Sequence, residues 1–452
     1  MSEDTYRIGS LAVDRREVPS ACAAAACLLA IALATSYNLR AKSFWYDEAI
    51  SAYYAQQSFL VIAKMSLLDY VPPLYYWLLK VYSTIFGHAD WVLRSFSVLF
   101  NLAAAVYVWK LVRMHFDRRT SLYTLILFGV SNYLLVRAQT ARPYPLFLFF
   151  TIASIYYFYR AIGDGKKRWW PLYSLCLLCS LFTLYLAVAT IAALLVLMLW
   201  SAATKPSRWN LNHLFWTGIA VLGFLPWAIL FKMKHPSTNP DWYGETVPSG
   251  HLWRDFLGLF KHFFETGLVR HFARGHGGSL PVILFLFFIG LICIYSLVAW
   301  RKNDGAIRML LFTCVYFLIS GFVNYLLNIF AGVEFATASR FVFLCPFAYM
   351  VAAAGVSRVT SKILQAVFLI TLIFPNVVAM RQTFASPSIE DWRGVARYVE
   401  DNWRDDDLII FSPGYMNIAF DYYAEGEHRE LGYPKGLMDP ARMYWGYHYL
   451  RG

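Results

Sequence analysis

The sequence predicts an all-α polytopic membrane protein, and two observations lead to this fold class. Of the 452 residues, 59% are hydrophobic and only 15% are charged, whereas a soluble domain is nearer half apolar and a quarter charged. The apolar residues also gather into about eleven stretches of roughly 16–22 residues, and a helix needs about 20 residues to cross a bilayer. These features exclude a soluble globular enzyme, a disordered protein and a secreted disulfide scaffold.

The predicted membrane spans follow one another in chain order. The longest apolar run, 169–202, would form a single helix of about 51 Å, which exceeds a hydrocarbon core of about 30 Å. We therefore predict two short helices with a turn near Thr183–Tyr185. The eleven predicted spans are 19–38, 91–112, 120–136, 143–160, 169–184, 186–202, 212–231, 279–299, 308–330, 340–357 and 362–380.

The distribution of basic residues predicts the orientation. With a cytoplasmic N-terminus, seventeen Lys and Arg residues flank the inner ends of the spans, and the short outer loops hold only Arg137, Arg142 and Arg340. This asymmetry follows the positive-inside rule. It also explains the net charge of +12, so we expect no nucleic-acid partner. The N-terminus resembles a signal peptide, but we expect its apolar run to stay as the first anchor in the cell (inner) membrane.

Three segments are predicted to lie outside the membrane, at the extracytoplasmic face. They are two outer loops, 39–90 and 232–278, and a tail, 381–452. We therefore divide the chain into a transmembrane domain, 1–380, and a small extracytoplasmic region, 381–452. Leu74–Leu79 is expected to form a juxtamembrane helix. In the tail, a helix over 389–402 beginning at Ser388 and a strand over Asp407–Phe411 predict a small α/β fold.

Unusual polar side chains gather at the predicted outer face. Ionisable groups are rare within the spans, which disfavours an ion-coupled transporter. A carboxylate beside an apolar wall can act as a general base, and arginine binds phosphate through paired donors. Such a set is typical of group transfer from a phosphate-linked lipid to a hydroxyl. Its members are Asp47, Glu48, Asp69, Arg137, Gln139, Arg142, Tyr144, Glu334 and Arg340.

Each of these residues also has a structural interpretation. Adjacent Asp47 and Glu48 point about 100° apart in a helix, so we expect one to do chemistry and the other to orient it. Asp47 could instead cap a helix, and Asp69 could be a turn residue before Pro72-Pro73. The arginines could simply reach lipid headgroups. The residue types alone leave these alternatives open.

Several ordered motifs resemble one family of membrane enzymes. These are the GT-C glycosyltransferases of the family 39 type, the bacterial relatives of the dolichyl-phosphate-mannose protein mannosyltransferases and the lipid A aminoarabinose transferases. The matching motifs are Phe44-Trp45-Tyr46-Asp47-Glu48, Asp69 with Pro72-Pro73-Leu74-Tyr75-Tyr76, Phe86-Gly87, Leu93-Arg94-Ser95-Phe96-Ser97, Gln139-Thr140-Ala141-Arg142-Pro143-Tyr144, Ser339-Arg340-Phe341 and Asp391-Trp392-Arg393-Gly394.

The resemblance implies an inverting transfer of sugar from a polyprenyl-phosphate donor to a hydroxyl of a lipid, a glycan or a protein. It implies a catalytic Asp47 that takes the acceptor proton, supported by Glu48 and Asp69. Arg142 and Arg340 would bind the donor phosphate. The residues expected to line the substrate cavity are Tyr46, Gln139 and Tyr144.

We expect that no cofactor is required. A divalent metal site is the alternative, because the 232–278 loop is rich in histidine. These histidines are His235, His251, His262, His271 and His276. Two positions depart from the family pattern, since Val71 and Tyr185 stand where many relatives have histidine. A transporter or flippase of a lipid-linked or small polar solute is the rival function, and an inactive scaffold is a third.

Overall fold

The structure is a computed structural model that describes residues 5–8, 11–14, 18–69, 71–204, 208–234, 280–331, 338–386, 388 and 390–433. A two-stranded antiparallel hairpin, β1 (Thr5–Ile8) and β2 (Leu11–Asp14), precedes the first membrane helix. The helices up to residue 204 are α1 (Val18–Ser36), α2 (Tyr46–Gln56), α3 (Phe59–Leu68), α4 (Leu74–Phe86), α5 (Asp90–His115), α6 (Arg118–Val130), α7 (Asn132–Ala138), α8 (Tyr144–Asp164), α9 (Trp169–Leu181) and α10 (Val188–Thr204).

The second half of the chain completes the bundle and adds a small tail. Its helices in the bundle are α11 (Arg208–Lys234), α12 (Leu280–Trp300), α13 (Asp304–Ala331), α14 (Cys345–Arg358) and α15 (Lys362–Ala385). The tail contains α16 (Trp392–Asn402), β3 (Ile409–Phe411), α17 (Asn417–Asp421) and β4 (Glu430–Gly432). Strands β3 and β4 pair in parallel. The predicted α/β tail is therefore confirmed.

The membrane character of the bundle is clear from its length, hydropathy and surface. Among the described residues, seven helices are long and apolar enough to cross a membrane, and eight if α6 and α7 form one bent span. Large apolar side chains such as Leu33, Leu222 and Phe374 are exposed on the outside of the bundle, where lipid would cover them. The chain is thus a multi-pass membrane protein, while the total of eleven spans stays a prediction.

Two helix breaks shape the bundle, and the sequence predicted one of them. The expected turn near 183–185 is confirmed, because α9 ends at Leu181 and a 3-10 turn, Tyr185–Ala187, leads into α10. The second break lies inside the predicted span 120–136, which is a bent pair of helices and not one straight helix. The pair breaks at Ser131 and bends by 60°, since the Ser131 hydroxyl accepts from the amide of Leu134 and caps a new helix.

The core of the bundle is built from aromatic rings and small residues. Phe343 packs on Phe147 and on Tyr316, with ring centroids 5.3 and 5.5 Å apart, and this contact ties α8 and α13 to the turn before α14. A Cβ added to Gly355 of α14 would lie 2.6 Å from the hydroxyl of Ser296 in α12. Glycine there permits the close helix approach that is common in membranes.

Candidate active site

The site lies at the end of the bundle where α1 stops, α5 and α8 begin, and the short helices α2, α3 and α4 pack. Asp47 occupies the first turn of α2. The Nη1 of Arg142 donates to the backbone oxygen of Asp47 at 3.1 Å, and its Nη2 lies 3.3 Å from Asp47 Oδ2. Two predicted site residues that are far apart in sequence therefore share one site. Asp47 is not an N-cap, because the N-cap position of α2 belongs to Trp45.

Arg142 is a buried cation that has one N–H group without a hydrogen-bond partner. Its residue exposure is 9%, and its Nε is buried without a hydrogen-bond partner. Burial acts to lower the pKa of Arg142, but the neighbouring carboxylate of Asp47, together with Tyr76, Tyr144 and Asp69, raises it well above the ordinary value. The guanidinium thus stays charged, and one N–H can be offered to an anion.

Asp47 and Glu48 divide their roles as the helix geometry predicts. The side chain of Asp47 is 31% exposed, whereas Glu48 is 1% exposed and pairs with Arg94. Both Glu48 oxygens accept from Arg94, at 2.9 and 2.7 Å, and Oε1 also accepts from the amide of Ala141 at 2.8 Å. Glu48 therefore fixes the turn that carries Arg142, and Asp47 stays available for chemistry.

Arg94 is a buried site residue that was not among the predicted site residues, although it lies within one of the family motifs. It lies in α5 and is 4% exposed. Besides Glu48, its guanidinium donates to the backbone oxygens of Leu39, Lys42 and Ser43 at 2.9, 2.7 and 3.1 Å. A single buried cation thus holds the segment that leads from α1 into α2. The available signal was an arginine inside an apolar helix, which is costly unless it has a function.

Asp69 caps the C-terminal end of α3, near enough to Arg142 for its charge to act on it. Its charge acts on Arg142 and on three tyrosines around it. Burial raises the pKa values of Tyr46, Tyr54 and Tyr76 above the ordinary value, and the Asp69 carboxylate raises each of them further. A supporting role for Asp69 stays a prediction, and the raised pKa values keep the tyrosines protonated as potential hydrogen-bond donors.

An aromatic wall completes the site beside Arg142. Tyr76 packs on Tyr54 and on Tyr75, with ring centroids 4.6 and 5.3 Å apart. Tyr76 is fully buried, and its hydroxyl has no hydrogen-bond partner, which is also true of the indole nitrogen of Trp45. Buried polar groups are normally paired, so these two donors are candidates to meet a polar substrate.

The three residues predicted to line the cavity have different surroundings. Tyr46 packs on Tyr415 of the tail at 5.1 Å, and Tyr144 at the start of α8 lies under the Arg137 guanidinium at 5.6 Å. The Gln139 amide nitrogen donates to the backbone oxygens of Thr35 and Tyr37. Gln139 thus fastens the end of α1, and a cavity role for the three residues stays a prediction.

Some predicted residues lie outside the described part of the chain. The backbone of Arg340 belongs to the 3-10 helix Ala338–Leu344, but its side chain lies outside the described residues, as does Glu334. The 232–278 loop is described only to Lys234, so its five histidines also lie outside. The donor-phosphate role of Arg340 therefore stays a prediction.

The two departures from the family pattern are packed into the protein. Val71 is buried before the helix-starting prolines. The Tyr185 hydroxyl accepts from the indole nitrogen of Trp227 at 3.2 Å, and its ring packs on Phe231. Within the described ranges, no group of three or more His, Cys, Asp and Glu side chains is arranged to hold a metal. Both Glu48 oxygens are already engaged, so this carboxylate does not fit a metal-ligand role, and we assign no step to a metal.

Comparisons with known proteins agree with this architecture. Residues 70–230 match the family model of dolichyl-phosphate-mannose-protein mannosyltransferase, while no curated protein sequence matches the chain. ArnT from Cupriavidus metallidurans in the apo state superposes with a TM-score of 0.58 at 11% identity, over 97% of this chain and 89% of that one.

A second similar structure is a longer protein. The oligosaccharyltransferase AglB from Archaeoglobus fulgidus, in complex with an inhibitory peptide and a dolichol-phosphate, superposes with a TM-score of 0.56 at 12% identity over 86% of this chain. This chain spans only 59% of the length of AglB. The resemblance predicted from the motifs is confirmed, and the chain has the membrane fold of the GT-C glycosyltransferase superfamily.

Proposed function

We propose that the chain is an inverting glycosyltransferase, which moves a sugar from a polyprenyl-phosphate donor to a hydroxyl acceptor. The observation that carries this proposal is the contact of a partly exposed carboxylate, Asp47, with a buried guanidinium, Arg142, at 3.3 Å. A general base and a phosphate ligand are the two groups that such a transfer requires. The GT-C fold and the family match over 70–230 support the same reaction class.

In the proposed mechanism, Asp47 acts on the acceptor and Arg142 on the leaving group. The Asp47 carboxylate takes the proton of the acceptor hydroxyl as the hydroxyl oxygen attacks the anomeric carbon. The bond between that carbon and the phosphate oxygen breaks, and the electron pair leaves with the polyprenyl phosphate. Arg142, which can offer its unpaired Nε, stabilises the charge that develops there. Arg340 is proposed as a second phosphate ligand.

Inversion at the anomeric carbon fits the roles of the adjacent carboxylates. A double displacement with retention needs a second carboxylate as nucleophile, and Glu48 is not available because both of its oxygens accept from Arg94. Of this pair, only Asp47 can contact a substrate. One carboxylate acting as base on the acceptor supports a single in-line displacement.

The donor carrier and the acceptor are proposed only as chemical classes. One similar structure is ArnT bound to undecaprenyl phosphate, and another is AglB with a dolichol-phosphate and a peptide. We infer that this chain also takes a polyprenyl-phosphate-linked sugar from the lipid phase. The acceptor is a hydroxyl of a lipid, a glycan or a protein.

We place the site at the extracytoplasmic face of the cell (inner) membrane, with the N-terminus in the cytoplasm. The charge asymmetry of the short loops supports this orientation. The proposed domains are the transmembrane part, 1–380, and the extracytoplasmic part, 381–452. The acceptor would then approach from the side on which the tail covers α2.

Product analysis on reconstituted protein tests the function. Proteoliposomes are given undecaprenyl phosphate carrying tritiated mannose, glucose, galactose or aminoarabinose, each separately, with an envelope extract as acceptor. We expect at least one donor to yield a new glycosidic bond, with free undecaprenyl phosphate released in equal amount. Movement of an intact donor across the bilayer without a new bond would favour a flippase and contradict the proposal, as would no reaction with all four.

A further inference from the structure

The helix that carries Asp47 lacks a capping side chain of its own. The first N–H groups of any helix have no partner within the helix, and a side chain at the N-cap usually accepts from one of them. The N-cap of α2 is Trp45, which makes no such bond. The amide of Tyr46 instead donates to Glu390 Oε2 at 2.9 Å. A tail residue thus caps α2 directly next to Asp47.

Glu390 is itself held in place for this contact. Its Oε2 also accepts from the indole nitrogen of Trp392 at 2.7 Å. A negative charge at a helix N-terminus is favourable, because the N–H groups there carry partial positive charge. The hydrogen bond and the charge of Glu390 therefore both stabilise the first turn of α2.

The tail also binds the backbone immediately before α2. The amide of Ser43 donates to Ser388 Oγ at 2.9 Å, and the amide of Phe44 donates to the Tyr423 hydroxyl at 2.7 Å. In return, the amide of Arg393 donates to Ser43 Oγ at 3.1 Å. Buried amides need hydrogen-bond partners. Here, side chains of the tail accept from two successive amides in the segment that leads to Asp47.

Apolar contacts continue this interface along α2. Ile418 and Ala419 of α17 pack against Ala49, which lies two residues after Asp47 in α2. Tyr415, from the turn before α17, packs on Tyr46. The tail therefore contacts α2 on both sides of Asp47 in sequence, through hydrogen bonds before it and buried apolar side chains after it.

We propose that the tail segment 388–423 positions Asp47 for catalysis, and that Glu390 is its principal positioning residue. This inference rests on the proposed function and deepens it. Glu390 does not touch the substrate; it fixes the first turn of α2, on which the direction of the Asp47 carboxylate depends. Since a misplacement of about 1 Å can slow an enzyme about a hundredfold, loss of this cap reduces turnover more than donor binding.

The test compares Glu390→Ala with Glu390→Gln in the full-length protein in proteoliposomes. Alanine removes the acceptor, whereas the glutamine amide oxygen can still accept from Tyr46 and Trp392. Glu400→Ala is the matched control, because the Glu400 carboxylate also accepts from a backbone amide, that of Glu425, but entirely within the tail. The readouts are kcat and KM with the four tritiated undecaprenyl-phosphate donors, and hydrogen exchange of the peptide covering 43–49.

We expect Glu390→Ala to lose kcat by about tenfold or more with KM for the donor within about threefold, and to exchange faster at 43–49. Glu390→Gln should restore most of the turnover, and Glu400→Ala should match wild type in both readouts. If the wild type is active and Glu390→Ala has the same kcat, the positioning role of Glu390 is wrong, while the proposed function stands. Unchanged exchange at 43–49 would overturn the capping contact even without an assay, whereas an inactive wild type would overturn the proposed function instead.

Discussion

Neighbouring carboxylates at the start of α2 face different surroundings. Successive helical residues point about 100° apart, so Glu48 turns inward onto Arg94 while Asp47 faces Arg142. The sequence could predict that the two would divide their roles. It could not assign each role, because the partner of Glu48 comes from a helix 46 residues further along the chain.

At the Glu48–Arg94 pair, removing one partner should destabilise the protein strongly. Glu48→Ala leaves a buried guanidinium without its counter-charge, which costs about 3–5 kcal/mol, and should markedly lower the apparent unfolding temperature in detergent. The control is Asp164→Ala, since the Arg160–Asp164 pair at 2.6 Å is about a third exposed and such pairs contribute about 0–1 kcal/mol. Equal effects of the two variants would contradict a structural role for the buried pair.

For the unpaired hydroxyl of Tyr76, we predict that its removal lowers activity without lowering stability. Tyr76→Phe removes a buried hydroxyl that has no partner in the protein, so the free energy of unfolding should be unchanged or slightly higher. The rate of sugar transfer should fall by about tenfold, because the variant loses one hydrogen bond to a charged group of the substrate. Tyr159→Phe is the matched control, because the Tyr159 hydroxyl is also buried and unpaired. It lies about 22 Å further along α8 than Tyr144, at a rise of about 1.5 Å per residue. Equal activity in both variants would exclude a substrate role for Tyr76.

At the scale of elements, hydropathy and length predicted where the helices lie and one of the two breaks, but not the bend at Ser131 or the start of α16. Each predicted span overlaps a helix, and the break after α9 followed from length alone. The bend at Ser131 depends on a hydroxyl cap, which is also the acceptor for the Tyr349 hydroxyl from α14. Hydropathy contains no such information. Similarly, α16 was expected to begin at Ser388, but Asp391 caps it by accepting from the amide of Gly394.

The tail contains a pair of interacting carboxylates that makes its stability depend on pH. Burial and the nearby Asp421 raise the pKa of Glu430 from 4.5 to about 7. Between these values the folded tail binds more protons than the unfolded chain, so its stability should fall as pH rises through this window. Hydrogen exchange of 417–432, corrected for intrinsic rates, should show protection decreasing from pH 5 to pH 8.

Glu430→Gln isolates the cause of this pH dependence. The amide does not titrate, so protection of α17 and β4 should lose most of its variation over the same range. A pH profile that stays as steep in Glu430→Gln would contradict the assignment. A profile of wild type that rises with pH would contradict the direction of the pKa shift itself.

At the scale of the whole molecule, composition and charge were sufficient for the fold class and the multi-pass character, while the superfamily resemblance came from the ordered motifs. They could not reveal how the tail meets the bundle. That contact consists of individual hydrogen bonds, such as Glu390 to Tyr46, between residues more than three hundred positions apart. Neither hydropathy nor a local motif encodes such a contact.

The orientation of the molecule can be tested by labelling single cysteines from outside intact spheroplasts. Lys167 precedes α9, and Glu427 lies in the tail; both are exposed. With Lys167→Cys and Glu427→Cys in a cysteine-free background, a membrane-impermeant maleimide should label only position 427. Labelling of position 167 alone would reverse the predicted topology.

The central claim is that Asp47 acts on the acceptor and Arg142 on the donor phosphate within one site. The direct test is to measure undecaprenyl phosphate binding and sugar transfer in parallel for Asp47→Asn and Arg142→Gln. Asp47→Asn should bind undecaprenyl phosphate at least as well as wild type, because its amide no longer competes as an anion for Arg142, yet lose about 10²–10⁴-fold in kcat. Arg142→Gln should weaken binding by about tenfold or more. Substantial turnover in Asp47→Asn, or unaltered binding in Arg142→Gln, would contradict the account.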